Sequence, residues 1–138
     1  METKDILLIT LPILTLIVGS SLTYFYGIKS KKQEAITKFK EEKYSNLIIA
    51  LQGFVGNTSS VETKKKFFEE QYKSWLYSSD SVVESINEFV NLLIEEKGKA
   101  PNPEKGRKVI GNIILEMRKD LLGSTKLSYK DFRYTDVV

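Results

Sequence analysis

The chain has 138 residues, 28% of them charged, and a formal net charge of +3. It contains no cysteine and no histidine, which excludes disulfides, zinc sites built from those residues, and Ser-His-Asp or Cys-His catalysis. So small a basic excess argues against nucleic acid as a partner. No cofactor-binding, catalytic or metal-ligating motif stands out, and the chain reads as a non-enzyme.

The first element in chain order is Ile6–Ile28, ILLITLPILTLIVGSSLTYFYGI, 23 residues without a charge. As a helix it would cover about 34 Å, against a bilayer hydrocarbon core of about 30 Å. This predicts a transmembrane helix at 6–28, preceded by a short extracytoplasmic N-terminus at 1–5. Only Lys4, beside Glu2 and Asp5, precedes the run, whereas Lys29, Lys31, Lys32, Lys38, Lys40 and Lys43 follow it. The positive-inside rule then predicts a single-pass protein of the cell membrane with its C-terminal domain in the cytoplasm. Tyr24, Phe25 and Tyr26 stand where an interfacial aromatic belt belongs. The rival reading is a cleaved signal peptide, with small residues at Val18-Gly19-Ser20-Ser21. It is disfavoured by the near-neutral Met1–Asp5 and by lysines on the wrong side for export.

Within the span, Thr15, Gly19 and Thr23 fall at i, i+4 and i+8, one helical face of small residues that would let two spans approach closely. They are candidate self-association residues and make a homo-oligomer an expected assembly, although small residues are also ordinary components of spans. Lys29, Lys31 and Lys32 are candidate contacts to anionic lipid, which makes membrane lipids expected partners. Topology alone would also account for them. Pro12 removes one helical hydrogen bond in the outer third.

Residues 29–43 read as a juxtamembrane helical stalk with sparse apolar positions (Ile36, Phe39), and 44–138 as a helical cytoplasmic domain. The first helix becomes densely apolar at Tyr44, Leu47, Ile48, Leu51, Phe54 and Val55, with Gly53, Gly56 and Asn57 as its stop. A second helix is expected at about Ser60–Tyr77, opened by a capping box of Ser59 and Glu62. Its Val61, Phe68, Tyr72, Trp75 and Leu76 form an apolar stripe that predicts burial, with Trp75 in the core rather than serving as a partner anchor. The third helix, about Ser81–Lys97, opens with Ser81 and Glu84 at capping-box spacing and carries Val82, Ile86, Phe89, Val90 and Leu93 on one face. Gly98 ends it, and Ala100-Pro101-Asn102-Pro103 links it onward.

The fourth helix starts with Asn102 as N-cap and Pro103 at the first helical position. Val109, Ile110, Ile113, Ile114, Met117 and Leu121 keep helical spacing to Gly123, and Gly106 and Gly111 suggest the close approach of another helix. The tail carries Leu127, Tyr129, Phe132 and Tyr134, with Ser128 and Asp131 at cap spacing for a short helical turn. The fold class is therefore all-α: one N-terminal transmembrane helix followed by a small cytoplasmic helical bundle, its neighbours mostly antiparallel.

Glu84 with Glu88, and Glu116 with Asp120, are carboxylate pairs four residues apart, and Glu95 and Glu96 follow on the third helix. Such pairs could do acid-base work or hold a divalent cation. Without histidine beside them, a solvated helix face is the better reading. Lys64, Lys65 and Lys66 point in different directions around their helix, so they make a poor single patch.

The segments Glu116-Met117-Arg118-Lys119-Asp120-Leu121 and Leu127-Ser128-Tyr129-Lys130-Asp131-Phe132, together with Trp75-Leu76-Tyr77, resemble the C-terminal half of small bacterial membrane proteins with one N-terminal span and a helical cytoplasmic domain. The resemblance implies no activity and supplies no site residues. The expected role is a protein-interaction or scaffolding module at the cytoplasmic membrane face, with an unidentified protein partner. The alternative is an oligomerising, membrane-perturbing effector or regulator.

Overall fold

The computed structural model of the chain describes residues 2–54, 60–97, 99 and 102–133. Val55, Gly56, Asn57, Ser59, Gly98, Ala100, Pro101 and Tyr134, to which the sequence assigns stop, cap, linker and tail roles, lie outside the described residues. All regular structure among the described residues is helical: α1 (Thr3–Leu51), a 3₁₀ turn (Gln52–Phe54), α2 (Val61–Ser74), α3 (Asp80–Glu95), α4 (Pro103–Leu122) and a second 3₁₀ turn (Tyr129–Asp131). The chain divides into two compact units, Met1–Lys38 and Phe39–Val138.

The first unit is a single helical rod. The helix continues past Pro12 without the one bond proline cannot donate, and every residue from Glu2 to Ile36 is exposed. Leu8 and Leu16 are 73% and 70% exposed. The chain thus contains one N-terminal helix long and apolar enough to cross a membrane.

The second unit has its own core. Tyr44, Leu47 and Leu51 of α1, Phe67 of α2, Val82, Ile86 and Phe89 of α3, and Val109, Ile110, Ile113 and Met117 of α4 form one buried apolar cluster. Its aromatic centre is edge-to-face: Phe54, Phe67 and Phe89 have ring centroids 5.1–5.5 Å apart, the arrangement favoured by the ring quadrupoles. Phe54 meets Phe67 at one end of this unit, and Phe39 meets Tyr77 at 5.5 Å at the other, so α2 runs antiparallel to the second part of α1. α4 also runs against α1, which brings Asp120 to Lys40. Phe39 and Lys40, placed in the stalk by sequence, therefore already make contacts of the second unit.

Three sequence expectations are corrected within α2 and α3. The N-cap of α2 is Ser60, whose hydroxyl oxygen accepts from the Thr63 amide at 3.1 Å. Ser79 occupies the N-cap position of α3, which puts Ser81 inside the first turn. The largest correction concerns the face of α2. Val61, Tyr72, Trp75 and Leu76 are all exposed, and Phe67, Glu70, Gln71 and Ser74 are buried instead. The 3₁₀ turn after α1 comes close to the start of this face. A Cβ on Gly53 would lie 2.7 Å from the Thr63 Cβ, and the fully buried Ser74 lies farther along the same face. The same face carries Phe67 onto Phe54 and Phe89, and the large side chains on the far side of the helix are left outside.

The fourth helix begins as its sequence predicts, with the Asn102 side chain accepting from the Glu104 amide at 3.0 Å and Pro103 in the first turn. It stops at Gly123, whose φ of 82° suits glycine. The close approach at Gly111 comes from the 3₁₀ turn at Tyr129 rather than from a helix: a Cβ there would sit 3.0 Å from the Tyr129 Cβ. Arg107 fixes the same segment by donating to the Lys130 and Phe132 carbonyls at 3.2 and 3.3 Å. Asp131 closes the turn by accepting from the Ser128 amide at 2.7 Å. That amide, followed by the Ser128 hydroxyl, holds the Asp131 carboxyl below its ordinary value.

Candidate functional site

In the first unit, α1 is helical throughout the residues singled out from sequence, so Thr15, Gly19 and Thr23 share one side of it. All three are exposed, and nothing lies within 4 Å of a Cβ built on Gly19. The Thr15 hydroxyl donates to the Leu11 carbonyl at 2.8 Å and the Thr23 hydroxyl to the Gly19 carbonyl at 2.9 Å. Thr10, Ser20 and Ser21 donate in the same way to Ile6, Leu16 and Ile17. Lys29, Lys31 and Lys32 are exposed and make no ion pair among the described residues.

In the second unit, a polar clasp joins α1 to α4. Lys40 Nζ donates to both Asp120 oxygens, at 2.8 and 3.1 Å, and Tyr44 donates its phenolic proton to Asp120 Oδ2. The Lys40 and Asp120 side chains are 20% and 12% exposed, so Asp120 does not stand on the solvated face expected of it. Burial, and then the hydrogen bond to Asp120, push the Tyr44 hydroxyl well above the ordinary tyrosine value. Nearby, Tyr77 stacks at 5.8 Å on Tyr44, and its buried hydroxyl has no hydrogen-bond partner among the described residues. Burial, and then the Glu70 carboxylate, raise Tyr77 to about 12. Glu70 in turn accepts from Lys73 at 2.8 Å, which raises the Lys73 ammonium. The Asp120 carboxylate thus fastens α4 to α1 through an ammonium and a phenol.

The remaining carboxylates do not converge. Glu84, Glu88 and Glu95 line a shallow groove shared with Lys105, and no group of three or more metal-ligating side chains exists among the described residues. Glu116 accepts from Lys119 at 2.6 Å. Lys64, Lys65 and Lys66 diverge as expected, with Lys64 half-buried over the Phe54 ring at 5.8 Å.

No protein family, curated protein or solved structure matches this chain.

The other surface feature of this unit is apolar. Beside the exposed stripe of α2, a groove between α2 and α3 is lined by Phe54, Lys64, Phe68, Val90, Leu93 and Ile94. Sequence reasoning missed this surface because it assigned the stripe to the core. It also missed the Lys40–Tyr44–Asp120 clasp, whose members lie 76 and 80 residues apart with no local pattern connecting them.

Proposed function

We propose that this chain is a single-pass membrane protein of the cell membrane, with residues 6–28 in the bilayer, residues 1–5 outside and the C-terminal helical unit in the cytoplasm as a protein-interaction or scaffolding module. The observation that carries the reading is the contrast in α1: Ile6–Ile28 has apolar side chains exposed all round, while a separate unit downstream has a complete core of its own. A helix apolar on every side is stable in lipid and a liability in water. The lysines after residue 28 support the orientation, and Lys29, Lys31 and Lys32 are the residues proposed to meet anionic headgroups. Tethering a docking surface to the membrane raises its local concentration for a partner working there. Sodium carbonate extraction of a tagged full chain tests the base of this reading. Retention in the membrane with a protease-protected C-terminal unit in right-side-out vesicles is the expected result. Release into the supernatant, or a mature N-terminus near Ser21, overturns it.

A second reading is favoured by the open side of α1 at Gly19: an effector or regulator that oligomerises through Thr15, Gly19 and Thr23. Under that reading Gly19→Ile abolishes crosslinked oligomers in membranes, and unchanged crosslinking removes it.

A further inference from the structure

The net charge of +3 hides a separation of charge within the second unit. α3 carries four acids, Asp80, Glu84, Glu88 and Glu95, and no base. Glu84, Glu88 and Glu95 are exposed and make no ion pair among the described residues. With Asn91 they follow one another at four, three and four positions, which sets them in one row along the helix. From Glu84 to Glu95 the row covers eleven residues, about 17 Å. Lys105 is the base that shares their groove.

α4 and the segment after it show the opposite charge. Residues 124–133 form a strap laid back along α4. Arg118 donates to the Thr125 hydroxyl at 3.2 Å at one end, and Arg107 holds the Lys130 and Phe132 carbonyls at the other. Between them, Lys108 Nζ stands 6.0 Å over the Tyr129 ring. The strap thereby gathers Arg107, Lys108, Arg118, Lys126, Lys130 and Arg133 along one side of α4. All six are exposed, and none is in an ion pair among the described residues. Asp120 is turned to Lys40 and Tyr44, and Glu116 to Lys119. Glu104 and Asp131, the latter capping its own turn, are the acids of this stretch left beside the six bases. Beyond Arg133 the sequence adds one acid, Asp136, outside the described residues. Arg107 to Arg118 is again eleven residues.

Neither surface is neutralised by its own chain, so each can be met only from outside, and the two match in length and oppose in sign. They also match in direction. α4 returns antiparallel along α3, Lys105 near its start sharing a groove with Glu95 near the end of α3. A second α3 laid antiparallel on the basic stripe is therefore parallel to the first. The two copies then keep one orientation, as copies anchored in one membrane must.

We propose that the second unit binds a second copy of itself head to tail, the Glu84, Glu88 and Glu95 row of one copy lying on the basic stripe of the next. Such a contact is heterologous, so copies extend in rows or close as rings. The proposal rests on the reading of the chain as a membrane-anchored interaction module and names the partner. Exposed ion pairs are individually weak and screened by salt, and a shared anchor raises the local concentration at which they act.

Two variants separate the surfaces. Glu84→Gln with Glu88→Gln and Glu95→Gln removes the acidic row. Lys126→Gln with Lys130→Gln and Arg133→Gln depletes the stripe without touching the side chains of Arg107 and Arg118 that hold the strap. Full chains carrying donor or acceptor fluorophores are reconstituted in phosphatidylcholine vesicles, and energy transfer between copies is read. The unaltered chain should show transfer that falls in high salt. Each variant mixed with itself should associate about tenfold more weakly, as three exposed pairs together predict. Mixing the two variants should restore transfer, because the intact stripe of the first meets the intact row of the second. A mixture without restoration, or either variant transferring as the unaltered chain does, overturns the proposal. Transfer abolished by Gly19→Ile with both surfaces intact also overturns it, since the first helix alone would then hold the copies together. Chains that do not stay with carbonate-washed vesicles count against the span instead, so the two failures are told apart.

Discussion

Between Ile6 and Ile28, α1 exposes Ile6, Leu7, Leu8 and Ile9 on four different sides, whereas between Phe39 and Leu51 the same helix buries Tyr44, Leu47, Ala50 and Leu51 and turns Glu41, Glu42 and Ser45 outward. The local backbone is the same and the apolar content is high in both. The difference is angular. In the second part apolar residues recur every three or four positions and find partners on α2, α3 and α4. In the first they occupy every direction, so no single protein neighbour could cover them. Apolar density thus marks the helix segment able to cross a membrane, and apolar period locates the core.

The comparison can be broken most forcefully at the aromatic centre. Phe89→Ala removes a fully buried ring that touches Phe54 and Phe67 and should cost about 3–5 kcal/mol. The measurement is urea-induced loss of far-UV circular dichroism for the full chain in detergent. Leu14→Ala, on an exposed position of the first unit, should leave that transition where it is. Equal effects would mean that the two units do not stand apart energetically.

The span answers to a different substitution. Ile17→Asp places a charge near the middle of the 6–28 run and should disfavour insertion by about 3 kcal/mol, read as a fall in the carbonate-resistant fraction. The fold of the second unit, read by its urea transition, should not change.

A smaller effect is expected at the clasp. Asp120→Asn leaves the mostly buried Lys40 ammonium without its counter-charge and weakens the acceptor of the Tyr44 proton. A loss of about 1–3 kcal/mol follows from groups left poorly satisfied.

The smallest effect separates Tyr77 from Tyr44. Both hydroxyls are raised in the folded chain, so their contribution is complete below the free-tyrosine value near 10. It is lost as pH climbs towards the folded value, about 12 for Tyr77. Stability should therefore fall between those limits in an alkaline titration followed by circular dichroism. Tyr77→Phe removes a buried hydroxyl that has no partner among the described residues. It should be neutral or stabilising by up to about 1 kcal/mol at neutral pH and should flatten part of the alkaline loss. A clear destabilisation would show that the hydroxyl is held by a bond.

Much of this architecture is legible in residue order. The four helices, the Asn102–Pro103 start, the Gly123 stop and the Ser128–Asp131 turn all follow from local chemistry that acts over three or four residues. The face of α2 does not. Two apolar directions compete there, one through Phe67 and the other through Phe68, Tyr72 and Trp75, and periodicity rewards the more numerous. The fold instead follows the direction of Phe67, which joins Phe54 and Phe89, with Gly53 letting the turn after α1 meet Thr63. That information is shared between two helices and written in neither. The Lys40–Asp120 pair is illegible for the same reason, since its partners meet only after α4 has returned along α1. As a result the exposed apolar stripe of α2 is not legible from periodicity alone.

The five serine and threonine hydroxyls of the 6–28 run have a consequence for what they can recognise. Thr10, Thr15, Ser20, Ser21 and Thr23 each commit their proton to a carbonyl one turn back. They present only lone pairs to whatever lies alongside. A neighbouring helix that brings donors would be read through them. At these five positions a second copy of the helix would set lone pair against lone pair, and would have to pack there by shape, around the bare backbone at Gly19.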